Sequence, residues 1–304
     1  MTTGLGVVIP AYQAERTLAR AVASARACGA EEVVVVDDGS TDSTAALARS
    51  LGCTTLVQPN AGAAAARRAG VRACTSPAIV LLDADDELVP SGVARSLSLL
   101  PTRGPGCAGV GGVTLAVAPG GGERAMRARR RRVHLDDLLR DGFAPGAPAA
   151  IVWRAPVLRA AVADAPPGLW PAYAEDYELT VRAVGSGHLE FHDEVSARYT
   201  LAGGKSTEDP MRSIAASEAI RLHYAGVHAV PVRPRAPRAL RARVLLRQAM
   251  NLRAGGPRTD PRYGDLILRA AAADPGLVAA MAARRVRDGL SRDRLSRRRR
   301  RAVP

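Results

Sequence analysis

The sequence predicts an α/β fold in which a doubly wound, mostly parallel sheet is flanked by helices and followed by a basic helical extension. Short uncharged segments alternate with segments of helical periodicity over the first 100 residues, which is typical of βαβ units. Aspartate-rich turns follow several of the uncharged segments directly. Prolines and arginines become frequent after residue 230, so we predict a main domain at 1–230, an extension at 231–304 and a boundary at 231–237.

Apolar patterns place the elements of the first half. Strands are predicted where uncharged residues run together, at 5–9, 32–37, 54–57 and 78–82. Helices are predicted where apolar residues recur at helical spacing, at 17–27, after residue 41, at 63–73 and from about 91. Pro10 is expected to end the first strand, and Ser40 or Thr41 is expected to cap the second helix.

The second half has a less regular pattern. We predict strands at 109–117 and 149–153, a flexible basic loop at 127–132, helices at 156–163 and 176–184, and a closing hairpin of 189–192 with 195–201. From Met211 onward the pattern is helical, with breaks at Pro231, Pro234 and Pro237.

Composition excludes several classes of protein. The four cysteines occur singly without a CxxC pair, which argues against a zinc site and for a reducing compartment. The N-terminus has no signal-peptide pattern, and no apolar run approaches the length of a membrane span. We therefore expect a cytoplasmic protein.

Positive charge is concentrated at the C-terminus. Residues 230–304 hold 20 arginines and 5 aspartates, whereas residues 1–229 hold 23 basic and 24 acidic residues. The extension could dock at the inner face of an anionic membrane, or it could be a solvated helical appendage. Nucleic-acid binding is not expected, because Tyr263 is the only aromatic residue there.

Three carboxylates, Asp83, Asp85 and Asp86, follow the predicted strand at 78–82. Ligands of open α/β sheets bind outside the carboxyl ends of the strands. Asp83 and Asp85 could both face one Mg²⁺ or Mn²⁺ ion that holds a diphosphate. An aspartate-rich turn that caps the next helix is the alternative.

Further polar residues follow other predicted elements. Asp38 could accept a hydrogen bond from a nucleotide base or a ribose hydroxyl, or it could form an Asx-turn. The turn Pro10-Ala11-Tyr12 could offer a flat aromatic face to the base. Arg67 and Arg68 could reach a phosphate or lie on a solvated helix face.

Glu175 and Asp176 precede an apolar helix and follow Trp170 and Tyr173. Desolvation beside aromatic residues raises the pKa of a carboxylate, which suits a general base, although an N-cap is the simpler alternative. The sequence lacks GxxxxGK(S/T), GxGxxG after the first strand, serine-nucleophile and HExxH motifs. A metal, a diphosphate and a base therefore remain as the predicted chemistry.

Taken together and in order, these motifs resemble a family 2 glycosyltransferase of the GT-A fold over residues 4–205. The motifs are Val7-Val-Ile-Pro-Ala-Tyr12, Glu15, Val34-Val-Val-Asp-Asp-Gly-Ser-Thr-Asp42, Asn60-Ala-Gly62 through Arg67, Leu82-Asp-Ala-Asp-Asp86 and Glu175-Asp176. The resemblance implies transfer of one sugar from a nucleotide-diphosphate sugar, by default a UDP-sugar, to an acceptor hydroxyl with inversion. Mn²⁺ or Mg²⁺ is the implied cofactor.

The resemblance also implies a role for each residue. Asp176 is the implied catalytic base, and Asp83 and Asp85 are the implied metal ligands. The implied nucleotide-sugar-binding residues are Pro10, Ala11, Tyr12, Glu15, Asp38, Arg67, Asp83, Ala84 and Glu175. Gln13 and Arg68 depart from residues that are usual in the family, and residues 198–206 resemble a segment that closes over the donor.

The acceptor remains open among a glycan, a lipid-linked molecule and a small molecule, and cell-envelope polysaccharide biosynthesis is the expected setting. A QxxRW motif, usual in processive members, is absent, which favours transfer of single sugars. Two alternatives are a sugar-1-phosphate nucleotidyltransferase and a non-catalytic scaffold of the same fold. The nucleotidyltransferase would need a glycine-rich, basic loop after the first strand, which the sequence lacks.

Overall fold

The structure is a computed structural model of the chain and describes residues 4–118, 121–164, 166–185, 187–201, 209–255 and 260–283. Ten strands form one sheet: β1 Leu5–Ala11, β2 Ala30–Asp37, β3 Thr54–Val57, β4 Ala78–Leu81, β5 Glu87–Leu88, β6 Cys107–Val117, β7 Glu123–Met126, β8 Arg132–His134, β9 Ile151–Arg154 and β10 His188–Thr200. The helices are α1 Leu18–Ala27, α2 Thr44–Ser50, α3 Ala63–Ala73, α4 Pro90–Leu99, α5 Leu135–Asp141, α6 Ala155–Ala161, α7 Glu175–Val184, α8 Pro210–Val227, α9 Pro237–Gly255 and α10 Pro261–Ala273. The predicted α/β class is confirmed.

Strand order creates a crevice at the end of β1. The strands run β3-β2-β1-β4-β9-β6-β10-β5, with β7 on β6 and β8 on β10. The first four are parallel to one another, whereas β9 is antiparallel to both β4 and β6. The chain leaves β1 toward β2 and β3 and returns on its other side at β4, so the topological switch point lies between β1 and β4.

Helix α3 packs closely on β1, and this contact brings its side chains to the crevice. A Cβ atom at Gly70 would overlap the side chain of Val8, so the glycine permits the close approach of helix and strand. All residues of β1 and β4 are buried, as expected for strands covered on both faces. The predicted apolar face of α1, formed by Leu18, Ala21, Val22 and Ala25, is buried on the sheet.

The prediction that Pro10 ends β1 is wrong, since the strand continues to Ala11. Pairing with β4 ends at Val8, whose carbonyl accepts from Leu82 N–H at 2.9 Å. The N–H and C=O groups of successive residues point to opposite sides of a strand. The nitrogen of Pro10 therefore points to the β4 side of β1, beyond the last residue that pairs with β4. A proline is tolerated there because no ladder hydrogen bond needs its missing N–H.

Residues 188–200 form one strand rather than the predicted hairpin. β10 runs parallel to β6, with an irregular register between Phe191 and Val195, at the site of the predicted turn. The polar residues at 192–194 therefore mark a register shift in a continuous strand. The predicted strand at 149–153 begins instead at Ile151, after a 3₁₀ turn over Pro148–Ala150.

One other local prediction is wrong, and another stays a prediction. Helix α2 begins at Thr44 rather than after Thr41, and Asp42 accepts from Thr44 N–H at 3.0 Å. The arginines of the predicted basic loop are paired: Arg130 and Arg132, for example, contact Asp141 and Glu190. These ion pairs and the short strand β8 hold the loop in place.

The C-terminal helices contact the main domain. Helix α8 packs against α5 and α7, and α9 packs against α8 and α10. Between α8 and α9, Arg235 donates its backbone N–H and its Nη1 to the buried carboxylate of Glu218, both at 2.9 Å. The domain boundary at 231–237 stays a prediction. None of the described helices is long and apolar enough to cross a membrane.

Candidate active site

The carboxylate of Asp38, at the end of β2, is fully engaged by the neighbouring loop. Its Oδ1 accepts from Gln58 Nε2 at 2.8 Å and Ala61 N–H at 2.9 Å, and its Oδ2 accepts from Gly62 N–H at 2.8 Å. Asp38 is buried and therefore fixes the loop that begins α3. The predicted contact with a base or ribose stays a prediction.

Gln13, which the motifs identified only as a departure, organises the turn after β2. Its Oε1 accepts from Thr41 N–H at 2.8 Å and Asp42 N–H at 3.2 Å, and its own N–H donates to Ser40 Oγ at 2.9 Å. The backbone of Gln13 lies in the left-handed region, with φ of 51°. The aspartate-rich turn is thus held by a side chain from the β1 end.

The predicted nucleotide-binding residues beside Gln13 differ in accessibility. Tyr12 is 54% exposed and leaves its ring available to a ligand. Pro10 and Ala11 are buried within β1, so only their backbone could contact a ligand. Glu15 accepts from Ser43 N–H at 3.0 Å and so helps to hold the turn. Ala84 is also buried, and its predicted contact with the donor stays a prediction.

Arg67 joins two acidic segments that are distant in sequence. Its Nη2 donates to Asp83 Oδ1 at 2.6 Å, and its Nη1 donates to Glu175 Oε1 at 2.8 Å. Burial alone would lower the pKa of Arg67, but the charges of Asp83 and Glu175 outweigh this effect and raise it. Arg67 is only 5% exposed, so a solvated helix face is excluded for it.

Arg68 points away from this pair of carboxylates. It forms an ion pair with Asp164 and lies over the ring of Trp170, 4.9 Å from the ring centroid. Arg182 lies 5.3 Å from the centroid of the same ring. Arg68 thus supports the segment before α7. This role differs from both predicted alternatives for Arg68, a phosphate contact and a solvated helix face.

The aspartates after β4 form a turn at the sheet edge. Asp86 N–H donates to the carbonyl of Asp83 at 3.0 Å, and Asp86 Oδ1 accepts from Thr200 N–H at 2.8 Å. Desolvation and then the charge of Asp83 raise the pKa of the buried Asp86 to about 8. The capping alternative is wrong, because α4 begins after Val89 without a side-chain cap.

Asp85 lies on the outer side of this turn. Asp85 is exposed, yet neighbouring protein atoms partly desolvate its carboxylate. This desolvation, followed by the charge of Asp83, raises the pKa of Asp85. Asp83 is close enough to repel Asp85, and this repulsion would be relieved by a cation. Among the described residues, however, no group of three or more His, Cys, Asp or Glu side chains is arranged to hold a metal.

Asp176 lies in the first turn of α7, beside Glu175. Its Oδ1 accepts from Tyr177 N–H at 2.8 Å, and desolvation followed by the charge of Glu175 raises its pKa to about 6. The N-cap alternative is wrong, because the cap position is Ala174. Through Glu175 and Arg67, Asp176 is connected to the aspartates after β4.

Two functional candidates were missed by sequence reasoning. The pKa of Tyr199, near the end of β10, is raised by burial and then by the charges of Asp86 and Asp83. Arg247 in α9 donates to Ser213 Oγ at 2.6 Å, and burial lowers its pKa against the opposing charge of Asp176. Tyr199 fell in the wrongly predicted hairpin, and no motif distinguished Arg247 from the other C-terminal arginines.

Comparison with known proteins relates part of the chain to a known family. Residues 6–142, which are less than half of the chain, match the model for Glycosyl transferase family 2. Succinoglycan biosynthesis protein ExoU from Rhizobium meliloti (strain 1021) is 45% identical over 103 residues, which cover 32% of this chain and 30% of that protein. Uncharacterized glycosyltransferase YibD from Escherichia coli (strain K12) is 33% identical over 97 residues, which cover 30% of this chain and 28% of that protein. The matches thus span less than a third of either relative.

Solved structures share the fold over a longer part of the chain. TarS 1–349 from S. aureus, solved with UDP-GlcNAc, aligns with a TM-score of 0.56 at 15% identity, covering 91% of this chain and 83% of that chain. Mannosyl-3-phosphoglycerate synthase from Rubrobacter xylanophilus aligns with a TM-score of 0.50 at 16% identity, covering 76% and 77%. The predicted fold is therefore confirmed, and the match of residues 6–142 supports the predicted family.

Proposed function

We propose that the chain transfers one sugar from a nucleotide-diphosphate sugar, with UDP-sugars favoured, to an acceptor hydroxyl with inversion. The observation that carries this proposal is the arrangement around Arg67. This buried cation contacts two carboxylates, Asp83 and Glu175. Asp83 is close in sequence to the predicted metal ligand Asp85, and Glu175 directly precedes the predicted base Asp176. The match of residues 6–142 to a glycosyl-transferring family supports the same reaction class.

Asp83 and Asp85 fit a divalent cation that is completed by a ligand. Arg67 occupies Oδ1 of Asp83, and desolvation, followed by the charge of Asp83, raises the pKa of Asp85. Mg²⁺ commonly uses one or two carboxylates together with substrate phosphates and waters, so a larger protein ligand set is not required. When bound, Mn²⁺ or Mg²⁺ would stabilise negative charge on the departing nucleoside diphosphate.

Asp176 is the proposed base. Its carboxylate takes the proton of the acceptor hydroxyl while that oxygen bonds to the anomeric carbon. The bond from this carbon to the diphosphate breaks on the opposite face, so the configuration inverts. The raised pKa of Asp176 suits proton abstraction near neutral pH, because the carboxylate is then both ionised and more basic than an ordinary aspartate.

The proposed place for the nucleotide is the carboxyl end of β1. The exposed ring of Tyr12 supplies a face for the base, and the turn held by Gln13 supplies polar groups nearby. Asp38 and Glu15, which make hydrogen bonds within the protein, would also contact the nucleoside. A polysaccharide-building role is proposed from the name of the relative in Rhizobium meliloti. Membrane contact through residues 231–304 stays a prediction.

Thermal unfolding with UDP, GDP and dTDP, each with and without Mn²⁺, tests the donor site. A ligand at about 100 times its dissociation constant stabilises a protein by roughly 2.7 kcal/mol, which a melting curve resolves. We expect one nucleotide to raise Tm in the presence of Mn²⁺. Asp85→Asn should remove most of the Mn²⁺-dependent shift, and Asp265→Asn, an exposed carboxylate in α10, is the control.

The outcomes separate the alternatives. A shift that persists in Asp85→Asn would contradict the metal assignment while keeping the nucleotide site. If no nucleotide shifts Tm in the presence of Mn²⁺, the non-catalytic scaffold becomes the better proposal. Release of pyrophosphate from a nucleoside triphosphate and a sugar 1-phosphate, rather than of a nucleoside diphosphate from a nucleotide sugar, would favour the nucleotidyltransferase.

A further inference from the structure

A loop of six residues, 169–174, leads directly into the first turn of α7, which carries Glu175 and Asp176. The backbone at Trp170 and Ala174 lies in the left-handed region, with φ of 41° and 59°. Neither residue is a glycine, and such a conformation persists only where neighbouring contacts impose it. The contacts of this loop therefore decide where α7 begins and how its first turn is oriented.

Glu178 of α7 holds both ends of this loop. Its Oε1 accepts from Leu169 N–H and its Oε2 accepts from Trp170 N–H, both at 2.6 Å. The backbone N–H of Glu178 donates to the carbonyl of Ala174 at 3.1 Å. One residue thus fixes the loop at its beginning through a side chain and at its end through the helix backbone.

The carboxylate of Glu178 is buried, and its hydrogen-bond donors are neutral groups. The residue is 0% exposed, and its third donor is the hydroxyl of Tyr224 in α8, at 2.6 Å. A buried carboxylate is tolerated only where hydrogen bonds replace its hydration, and these three donors do so. The loop amides and Glu178 therefore depend on each other.

The side chain of Trp170 fastens the same loop from another direction. The guanidinium groups of Arg68 and Arg182 lie 4.9 Å and 5.3 Å from its ring centroid. Arg182 also donates to the carbonyls of Ala161 and Ala163, and so joins the end of α6 to the loop. Cations over the ring of a tryptophan stabilise its position. The loop is thus attached to α3, α6 and α7.

We propose that Glu178 is a positioning residue for the proposed reaction: it fixes the loop 169–174 and, through it, the orientation in which Asp176 meets the acceptor hydroxyl. This inference rests on the proposed function, because Asp176 is a base only in that reaction. Successive residues of an α-helix are about 100° apart, so the side chains of Asp176 and Glu178 point to opposite sides of α7. Glu178 therefore acts through the loop and the helix, without touching the substrate.

Amide hydrogen exchange of the full chain, followed by NMR, tests the loop contacts without a substrate. Glu178→Gln loses one acceptor oxygen and should speed the exchange of the Leu169 or the Trp170 amide about tenfold or more, because a hydrogen bond to a charged group is lost. Glu178→Asp keeps the charge on a shorter side chain and should restore part of the protection.

Tyr224→Phe is the matched control, because it removes the third donor to the same carboxylate and leaves the loop amides in place. Both Glu178→Gln and Tyr224→Phe lose a buried hydrogen bond and should lower Tm. Only Glu178→Gln should change the exchange of the Leu169 and Trp170 amides, so the difference between the two variants reports the loop.

The titration of Asp176 shows whether the loop positions the base. Carboxyl ¹³C NMR, with Asp176→Asn to assign the signal, should place the midpoint near the pKa of about 6 in wild type. In Glu178→Gln the midpoint should fall by about one pH unit, because a loosened first turn admits water to the carboxylate. Tyr224→Phe should keep the wild-type midpoint, since a loss of stability alone does not move it.

Release of nucleoside diphosphate from the matching nucleotide sugar adds a kinetic readout. Glu178→Gln should lower kcat about tenfold to a hundredfold, as expected when a catalytic group is misplaced by about 1 Å. The KM of the donor should stay within a factor of about two, because no donor contact has changed.

Two results would overturn the proposal. One is an unchanged exchange of the Leu169 and Trp170 amides in Glu178→Gln, and the other is an unchanged Asp176 midpoint after these amides have lost protection. If Glu178→Gln does not fold, Gly168→Ala replaces it in both measurements. Its Cβ atom would lie 2.8 Å from Glu178 Oε1 and would displace the carboxylate or the loop.

Failure of the proposed function is a separate outcome. A chain that binds no nucleotide, yet shows both changes in Glu178→Gln, keeps a loop that orients Asp176 and refutes the proposed function. A chain that transfers sugar with the same kcat in wild type and Glu178→Gln keeps the proposed function and refutes the role of Glu178.

Discussion

The two sides of the candidate site are built differently. On the donor side, turns that follow β1 and β2 are held by carboxylate and amide side chains on backbone N–H groups, as Asp38 and Gln13 show. On the acceptor side, Asp176 lies in the first turn of α7, which packs against α6 and α8. The donor side is thus stabilised by hydrogen bonds between neighbouring turns, whereas the acceptor side depends on packing between helices.

This difference has an electrostatic counterpart. The carboxylate of Asp38 has three hydrogen-bond donors, so its negative charge is well solvated by the protein. Asp176 accepts one backbone N–H, and its pKa is raised by desolvation and by Glu175. A well-solvated carboxylate holds structure, and a poorly solvated one retains the basicity needed to accept a proton. Arg67 connects the two sides.

The largest expected effect is on the acceptor side, in Asp176→Asn. Loss of the base should lower kcat about 100- to 10,000-fold, because a positioned proton acceptor contributes that much. The Mn²⁺-dependent affinity for the nucleotide should stay within a factor of about two, since Asp176 is not a proposed donor contact. Steady-state kinetics of diphosphate release and a nucleotide titration measure the two quantities.

Asp136→Asn is the matched control for this change, because Asp136 is an exposed carboxylate in the first turn of α5. It should leave kcat unchanged. Sugar transfer by Asp176→Asn at the wild-type rate would contradict the assignment of the base and would leave the donor side as the only supported part of the site.

The connection between the two sides is tested by Arg67→Gln. Removal of the cation leaves Asp83 and Glu175 without their buried partner, which should lower the free energy of unfolding by about 3–5 kcal/mol. Arg72→Gln, five residues further along α3, breaks an ion pair with Asp164 whose side chains are 48% and 75% exposed. That change should cost about 1 kcal/mol or less.

Urea unfolding followed by circular dichroism measures both variants of α3. If Arg67→Gln costs no more than Arg72→Gln, the two sides of the site are not energetically joined through Arg67. Retention of nucleotide binding in a destabilised Arg67→Gln would show that the donor side folds independently of this link.

The smallest expected effect concerns pH. Asp176 must be ionised to accept a proton, and its pKa is raised to about 6, so kcat/KM should fall about tenfold per pH unit below pH 6 and level off above it. Glu175→Gln removes a charge that raises this pKa, so the midpoint should move to lower pH. Kinetics across the pH range measure the shift.

Asp164→Asn is the control for the pH experiment, because it removes an exposed carboxylate that pairs with Arg68 and Arg72. Its midpoint should match that of wild type. A midpoint that does not move in Glu175→Gln would mean that another group controls the acid limb.

The errors of sequence prediction have a common cause. Uncharged runs located β3 and the body of β1, but they could not show that Pro10 lies beyond the ladder with β4. Polar residues at 192–194 indicated a turn, whereas pairing with β6 keeps β10 continuous through a register shift. The local sequence pattern does not show where the neighbouring strand lies. The neighbouring strand determines both where β1 ends and whether β10 is continuous.

The sequence by itself determined the resemblance to the family, the α/β class and the carboxylates at the strand ends, because these features depend on short motifs and on the alternation of apolar segments. Only the tertiary structure decided that Arg67 is buried between Asp83 and Glu175 and that Arg68 pairs with Asp164 instead. Arginines look alike in a sequence, whereas burial and charged neighbours give each of them a different role. Those neighbours come from distant parts of the chain, and folding alone brings them together.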